Sequence, residues 1–169
     1  MNLSIVVPVY NSSSIIENLT KDILSVIEKT PNVNKIQLIL VNDCSTDESW
    51  KKISKLSSEY EDIVIGINLM RNYGQHNAIM AGLRLAQGDY IILIDDDYQH
   101  PPKEIPKILS KIKEGYDVCY TNYKNNAYSG FKLFGSWLNK KISNILIDKP
   151  KSVYLSSFKC FTKKVCKEI

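Results

Sequence analysis

Short apolar runs alternate with segments of helical period along the chain as far as Thr121. The runs predicted as strands are Leu3 to Val9, Ile36 to Val41, Ile63 to Ile67, Asp89 to Ile94 and Asp117 to Thr121. Apolar residues that recur every three or four positions predict helices over 15–27, 48–58, 75–86 and 101–112. Gly88 is expected to end the third helix in the left-handed conformation. This alternation predicts an α/β domain with a Rossmann-like, mostly parallel sheet flanked by helices on both faces.

Polar segments follow four of the predicted strands. They are Tyr10-Asn11, Asn42-Asp43, Arg71-Asn72 and residues 95–99. In open sheets of this kind, ligands bind beyond the carboxyl ends of the parallel strands. We therefore expect these segments to meet around one site.

The run Asp95-Asp96-Asp97 after an apolar strand is the strongest chemical signal in the sequence. Adjacent carboxylates repel one another, and crowding them together is costly without a cation. On an extended backbone Asp95, Asp97 and Gln99 project to the same side. Their oxygens suit Mg²⁺ or Mn²⁺, which commonly complete their shell with substrate phosphates. A solvated acidic turn is the alternative interpretation, and His100 is interpreted as structural.

Length and composition indicate one domain with a sizeable core. The chain has 169 residues, of which 44% are hydrophobic, and a net charge of +4. No apolar run is long enough for a membrane span. We therefore expect the protein in the cytoplasm or at the cytoplasmic face of a membrane. The modest positive charge suits an anionic substrate or lipid headgroups, and no nucleic-acid partner is expected. The four cysteines lack metal-ligand spacing and are expected to be free thiols.

After Thr121 the alternation of strands and helices breaks down. Residues 122–130 are polar and predict a loop, and 131–146 carry an apolar stripe flanked by lysines. Such a helix packs on the domain core or lies on a membrane surface. Val153 to Phe161 is predicted as a last strand.

Three stretches of the sequence resemble glycosyltransferase family 2, whose members have the GT-A (nucleotide-diphospho-sugar transferase) fold. They are SIVVPVYN at 4–11, VNDCSTDES at 41–49 and RNYGQHNAIMAGLRLAQGDYIILIDDDYQHPPKEIP at 71–106. The last stretch is especially similar to the polyprenyl-phosphate (dolichyl- and undecaprenyl-phosphate) glycosyltransferases. The resemblance covers residues 1 to about 120 and thins afterwards.

The resemblance assigns five positions to the nucleotide of a nucleotide-sugar donor, with a UDP-sugar favoured. Pro8, Tyr10 and Asn11 match the motif that lines the base. Asp43 matches the residue that accepts the base imide N–H, and Arg71 matches one at the polar edge of the nucleotide. The structural alternatives are a strand end for Pro8, a cover of the sheet edge for Tyr10, an Asx turn at Asp43 and a surface ion pair for Arg71.

The resemblance also assigns the acidic run. Asp95 and Asp97 match the catalytic, metal-binding DxD motif, and Gln99 matches a glutamine that joins the metal shell in the polyprenyl-phosphate branch. Asp95 and Asp96 are counted among the residues that bind the nucleotide sugar. The implied cofactor is Mg²⁺ or Mn²⁺.

The function implied is inverting, metal-dependent transfer of a sugar to polyprenyl phosphate. Transfer to a saccharide hydroxyl in surface polysaccharide synthesis and a non-catalytic nucleotide-binding module are the alternatives. No acidic pair after Asp97 resembles the usual family base, which fits a phosphate acceptor and equally fits a truncated chain. The arginines usual in the family after the fifth strand are absent, with Lys124 and Lys132 the nearest cations, and the usual Asp-Phe-Arg region reads Ser157-Phe158-Lys159. These lysines are candidates for phosphate contact, although Lys cannot copy the two-pronged contact of Arg. A dinucleotide-dependent oxidoreductase is disfavoured because no GxGxxG follows the first strand.

The domain prediction follows from the same resemblance. Residues 1–169 are expected to form a single glycosyltransferase catalytic domain. Within it, 1–121 are the nucleotide-sugar-binding core and 122–169 an acceptor-side segment that is truncated.

Overall fold

The structure, a computed structural model, describes residues 1–121 and 157–168. In these ranges the strands are β1 (Asn2–Val9), β2 (Lys35–Asn42), β3 (Val64–Asn68), β4 (Tyr90–Leu93), β5 (Val118–Tyr120) and β6 (Lys159–Thr162). The helices are α1 (Ile16–Glu28), α2 (Ser49–Glu59), α3 (Gln75–Leu85), α4 (Ile105–Ile112) and α5 (Lys163–Cys166). All of these elements belong to one compact unit, formed by Met1–Tyr120 and Ser157–Ile169.

The elements predicted up to Thr121 are all present, and most ends differ by one residue at most. The helix predicted from Pro101 differs, because it begins with a 3₁₀ turn, Pro102–Glu104, and becomes α-helical only at Ile105. The helix predicted over residues 131–146 lies outside the described residues, as do Lys124 and Lys132. In the described ranges no helix is long and apolar enough to cross a membrane.

The sheet has the strand order β3-β2-β1-β4-β6-β5. β1 is parallel to both β2 and β4, and β2 is parallel to β3. β6 is antiparallel to both of its neighbours, β4 and β5. The predicted mostly parallel sheet is confirmed, and its carboxyl edge carries the loops after β1, β2, β3 and β4.

Helices cover both faces of the sheet. α3 packs closely on β1 and β2, because Gly82 leaves room for Val6, which a Cβ at position 82 would overlap. On the other face a Cβ at Gly66 of β3 would lie 2.8 Å from Ile53 Cγ2 of α2. Ala78 of α3 is completely buried in the core. The close approach at Gly82 holds α3 against the central strands β1 and β2.

Gly88 does not adopt the left-handed conformation expected for it, since the glycines with positive φ in the described ranges are Gly74 and Gly115. It is needed for a close approach instead. A Cβ at this position would lie 2.5 Å from the backbone nitrogen of Ser4. The chain therefore enters β4 pressed against β1, a contact that the local sequence does not reveal.

Candidate functional site

A cleft of about 450 Å³ opens at the carboxyl edge of the sheet. All four polar segments expected to meet there contribute to its wall, so the predicted convergence is confirmed. The cleft has the size of a small-molecule site. The predicted site residues that line it are Pro8, Tyr10, Asp43, Asp95, Asp96 and Asp97.

The acidic run forms a turn and not the extended row that was predicted. β4 ends at Leu93, and residues 96–97 belong to a turn. Asp97 Oδ1 accepts a hydrogen bond of 2.9 Å from the backbone N–H of Gln99, two residues further on. Tyr98 between them has φ of 58°, in the left-handed region. The prediction was wrong here because an aspartate that bonds the backbone two residues ahead reverses the chain.

Asp95 and Asp97 both line the cleft, and each carboxylate accepts one hydrogen bond through its Oδ1 atom. Asp95 Oδ1 accepts a hydrogen bond of 2.7 Å from Gln75 Nε2, and Asp97 Oδ1 is held by Gln99. Within the described residues, the second oxygen of each carboxylate accepts no hydrogen bond. Both carboxylates therefore keep bonding capacity towards the cleft.

The chemistry of these donors fits a hard divalent cation. In the ranges 1–121 and 157–168, no group of three or more His, Cys, Asp or Glu side chains is arranged to hold a metal ion by itself. Mg²⁺ commonly binds through one or two carboxylates, with substrate phosphates and water completing the shell. Asp95 and Asp97 match that arrangement. The Gln99 side chain is exposed and does not line the cleft, and its role as a ligand stays a prediction.

Asp96 is half-buried and turns its carboxylate towards the loop after β1. Its Oδ2 accepts hydrogen bonds from Ser12 Oγ at 2.5 Å and from the backbone N–H of Tyr10 at 3.1 Å. Burial raises the pKa of the Asp96 carboxyl, and the hydrogen bonds from Ser12 and Tyr10 act in the opposite direction. Asp96 thus differs from its two neighbours in the run.

Asp43 is buried and holds the loop before α3. Its Oδ1 accepts the backbone N–H of Tyr73 and its Oδ2 that of Gly74, both at 2.8 Å. Gly74 has φ of 86°, a conformation that glycine adopts easily. Each carboxylate oxygen can accept a second hydrogen bond, and contact with a nucleotide base is compatible with this geometry.

Two predicted nucleotide-binding residues lie beside the cleft without lining it. Asn11 Oδ1 accepts the backbone N–H of Thr46 at 2.8 Å, which ties the loop after β1 to the loop after β2. The Arg71 guanidinium lies 4.6 Å from the centre of the Tyr73 ring. Arg71 is exposed and forms a cation–π contact there, and within the described residues it forms no surface ion pair of the kind that the structural alternative expects.

Gln75 and Ser12 are site residues that the sequence analysis missed. Gln75 belongs to the RNYGQ run, but a glutamine has no reason to be singled out until α3 is known to begin at the cleft. Lys159 on β6 lies opposite Leu93, near the acidic turn, and phosphate contact stays a prediction for it. The His100 ring lies 5.7 Å from that of buried Phe158, which agrees with a structural role.

The fold and the cleft define an α/β protein with a ligand-sized site at the carboxyl edge of its sheet, and the sequence comparison identifies the family. The family model described as Glycosyl transferase family 2 matches residues 4–169. The chain belongs to this family.

A curated relative links the chain to the polyprenyl-phosphate branch of the family. The chain is 36% identical over 161 residues to the undecaprenyl-phosphate 4-deoxy-4-formamido-L-arabinose transferase of Proteus mirabilis (strain HI4320). The alignment covers 95% of this chain and 48% of the relative. The chain thus spans about half the length of the curated relatives it matches.

Solved structures support the fold. Glucosyl-3-phosphoglycerate synthase from Mycobacterium tuberculosis, in complex with Mn²⁺, UDP-glucose and phosphoglyceric acid, matches with a TM-score of 0.72 and 19% identity, over 97% of this chain and 57% of that chain. Mannosyltransferase PcManGT from Pyrobaculum calidifontis, in complex with GDP-Man and Mn²⁺, matches with a TM-score of 0.68 and 15% identity, over 98% of this chain and 46% of that chain. The predicted GT-A fold is confirmed.

Proposed function

We propose that this protein is the catalytic domain of an inverting, metal-dependent glycosyltransferase that moves a sugar from a nucleotide-sugar donor to polyprenyl phosphate. The observation that carries the proposal is the pair of carboxylates, Asp95 and Asp97, each with one oxygen available to the same cleft. The acceptor is supported by the relative of 36% identity that is named as an undecaprenyl-phosphate transferase. The cytoplasmic face of a membrane is the proposed place of action.

The nucleotide base would bind at the end of the cleft formed by β1 and β2. Tyr10 is 49% exposed and offers a ring face beside Pro8. Asp43 is held rigidly by two backbone N–H groups, so its remaining lone pairs are fixed in direction. A uracil base, which carries one imide N–H between two carbonyls, suits such an acceptor. Asn11 and Arg71 are assigned to the outer edge of the nucleotide.

The diphosphate of the donor would lie against the acidic turn. A bound Mg²⁺ or Mn²⁺, held by Asp95 and Asp97 with Gln99 as a further oxygen ligand, would offset the charge that develops on the leaving diphosphate. The hydrogen bonds from Gln75 and from the Gln99 backbone fix the rotamers of the two carboxylates before the donor binds. Asp96 lies beside them and completes the wall of the cleft.

The reaction is a single displacement at the anomeric carbon. The bond from this carbon to the diphosphate oxygen breaks, the electron pair leaves with the nucleoside diphosphate, and a bond to an acceptor oxygen forms. Attack from the opposite side inverts the anomeric configuration. A phosphate acceptor is already anionic at neutral pH, whereas a hydroxyl acceptor needs a general base within hydrogen-bond reach. Lys159, on β6, is assigned to contact phosphate.

The acceptor is tested by incubating the protein and Mn²⁺ with radiolabelled UDP-sugars and GDP-sugars. Undecaprenyl phosphate, undecaprenol and an oligosaccharide serve as acceptors. The alcohol is the matched control, since it lacks only the phosphate. We expect label in the lipid phase with undecaprenyl phosphate and none with undecaprenol, and nuclear magnetic resonance of the product should show an inverted anomeric centre.

The other outcomes reject parts of the proposal. Label that appears only in the oligosaccharide supports the saccharide-hydroxyl alternative and rejects the lipid phosphate. Nucleotide binding without turnover on any acceptor supports a non-catalytic module. A product with retained configuration excludes the single displacement.

A further inference from the structure

Asp96 joins the acidic turn to the loop that follows β1. Its carboxylate accepts one hydrogen bond from the Ser12 hydroxyl and another from the Tyr10 backbone. Ser12 is buried, with 8% of its surface exposed, so little water competes for this contact. Among the described residues, every hydrogen bond between the acidic turn and this loop ends on Asp96.

Other anchors of the same loop lead away from the acidic turn. The Asn11 backbone N–H bonds Ser45 Oγ at 3.0 Å, and the Ser12 backbone N–H bonds Ser49 Oγ at 2.9 Å. The Ser13 backbone N–H bonds Asp47 Oδ2 at 2.9 Å. These anchors tie the loop to the segment after β2 and to Ser49, the first residue of α2, and Lys52 of α2 also donates to the Ser13 carbonyl oxygen at 2.7 Å. These anchors do not reach the acidic turn, so beyond the pairing of β1 with β4 the hydrogen bonds to Asp96 join the loop to that turn.

We propose that Asp96 is a positioning residue that couples the loop carrying Tyr10 to the carboxylates of Asp95 and Asp97. The inference rests on the proposed function, in which the base of the donor lies at Tyr10 and the diphosphate lies at the acidic turn. A nucleoside diphosphate must engage both segments at once. Segments that are held in register before binding lose less conformational entropy when the donor bridges them.

The coupling predicts a specific effect on binding. In the wild-type protein, Mn²⁺ strengthens UDP binding because the metal subsite and the base subsite are held in register. When the link through Asp96 is weakened, each subsite still forms, but occupation of one helps the other less. Coupling between two subsites typically changes affinity by about 5- to 150-fold. Loss of the link therefore lowers the enhancement by Mn²⁺ and leaves the binding of Mn²⁺ itself unchanged.

The test uses Asp96→Asn, Ser12→Ala and the double variant. Asn keeps one acceptor oxygen but loses the charge that strengthens both hydrogen bonds. Ser12→Ala removes one donor and is the milder change, which keeps the test valid if Asp96→Asn does not fold. Asp89→Asn is the matched control, because Asp89 Oδ2 accepts the Asn2 backbone N–H at 2.7 Å between β1 and β4 at the amino end of the sheet.

UDP binding is measured by calorimetry with and without Mn²⁺, and Mn²⁺ binding alone by electron paramagnetic resonance. The enhancement of UDP binding by Mn²⁺ should fall about 10-fold in Asp96→Asn and about 5-fold in Ser12→Ala, and Asp89→Asn should match the wild type. In the double variant the reduction should be smaller than the product of the two single reductions, because both changes act on the same contact. Mn²⁺ affinity should stay within about 2-fold of the wild type in each variant, since Asp96 is not assigned as a ligand.

Other results overturn the inference. If UDP affinity falls equally with and without Mn²⁺, Asp96 supports the nucleotide directly and couples nothing. If Mn²⁺ affinity itself collapses, Asp96 is a metal ligand. If the wild-type protein binds neither UDP nor GDP, the proposed function fails, and that failure is visible before any variant is compared.

Discussion

The two edges of the sheet are both rich in polar groups, yet they differ in how those groups are used. At the amino edge, the hydroxyl of fully buried Ser4 donates to Gln37 Oε1 at 2.8 Å and accepts the backbone N–H of Gly88 at 2.9 Å. At the carboxyl edge, Asp95 and Asp97 each accept a hydrogen bond at one oxygen, and no residue in the described part of the chain donates to the other. Bonding capacity left over at an edge, and not polarity by itself, marks the candidate site.

The two edges also differ in how many residues adopt the left-handed backbone conformation. Asn11, Cys44 and Tyr98 have φ of 53°, 56° and 58° and lie in loops at the carboxyl edge, whereas Asn32, with φ of 65°, lies in the loop before β2 at the amino edge. The left-handed conformation costs about 1–2 kcal/mol for residues other than glycine, least for asparagine. Tyr98 is compensated by a hydrogen bond of 2.7 Å from its hydroxyl to Asp22 Oδ2. Within the described residues, the edge that carries the carboxylates therefore holds three of the four non-glycine residues with positive φ.

Cavity volume does not identify the candidate site. A larger groove of about 590 Å³ lies near the start of β2, between Lys21 of α1 and Tyr60. Among the described residues of its wall the acidic side chain is Glu28, and none is an aspartate. The smaller cleft is the better candidate because three aspartates from one turn and Asp43 converge there.

The largest expected effect comes from removing the available carboxylates. In the double variant Asp95→Ala, Asp97→Ala, sugar transfer should fall by roughly 10³-fold or more, because the leaving diphosphate loses its counter-charge. The measurement is the initial rate with a labelled donor. Chelation of the metal should slow the wild-type protein to a similar degree and should not slow the double variant further. An unchanged rate in the double variant would remove the basis of the proposed function.

The second effect tests the amino edge. Gly88→Ala places a Cβ 2.5 Å from the Ser4 nitrogen and 2.8 Å from the Leu3 carbonyl carbon, both of which are backbone atoms. The free energy of unfolding should fall by about 2–4 kcal/mol, because backbone cannot move aside as a side chain does. Urea denaturation measures the change, and Gln87→Ala at the exposed neighbour is the control. Affinity for the donor, measured below the unfolding transition, should not change. A loss of affinity would contradict the view that the amino edge supports stability and the carboxyl edge supports binding.

The smallest effect concerns how the carboxyl edge responds to pH. Burial alone would raise the pKa of Asp47, but hydrogen bonds from Ser49 and Ser13 outweigh it and hold the pKa below its ordinary value. Because the folded-state pKa is the lower one, this contribution is complete above the ordinary aspartate pKa of about 3.9 and is lost as the pH falls below it. Asp47→Asn should lower the free energy of unfolding by about 1 kcal/mol at neutral pH, a value reduced for exposure.

Denaturation at neutral pH and near pH 3 checks this prediction. The difference between Asp47→Asn and the wild type should shrink in acid. Ser4→Ala at the amino edge is the control, because its partners are neutral and its effect should not depend on pH. A difference for Asp47→Asn that is equally large in acid would exclude the charge as its source.

The sequence alone determined the order of strands and helices up to Thr121, the mostly parallel sheet and the meeting of four polar loops at one edge. These features follow from hydrophobic periodicity within short windows and from the rule for carboxyl ends of parallel strands. The acidic run and the resemblance in three motifs were likewise readable from neighbouring residues.

Only the tertiary structure decided which groups touch. It placed β6 between β4 and β5, turned the chain at Tyr98 and directed Asp96 to Ser12, 84 residues away in the sequence. It also occupied both oxygens of Asp43 and left Asn11 and Arg71 beside the cleft. Periodicity is a local property, whereas these contacts depend on strand register and on how closely glycines let distant segments approach. That is why the candidate residues could be predicted from the sequence, whereas the contacts that each of them makes could not.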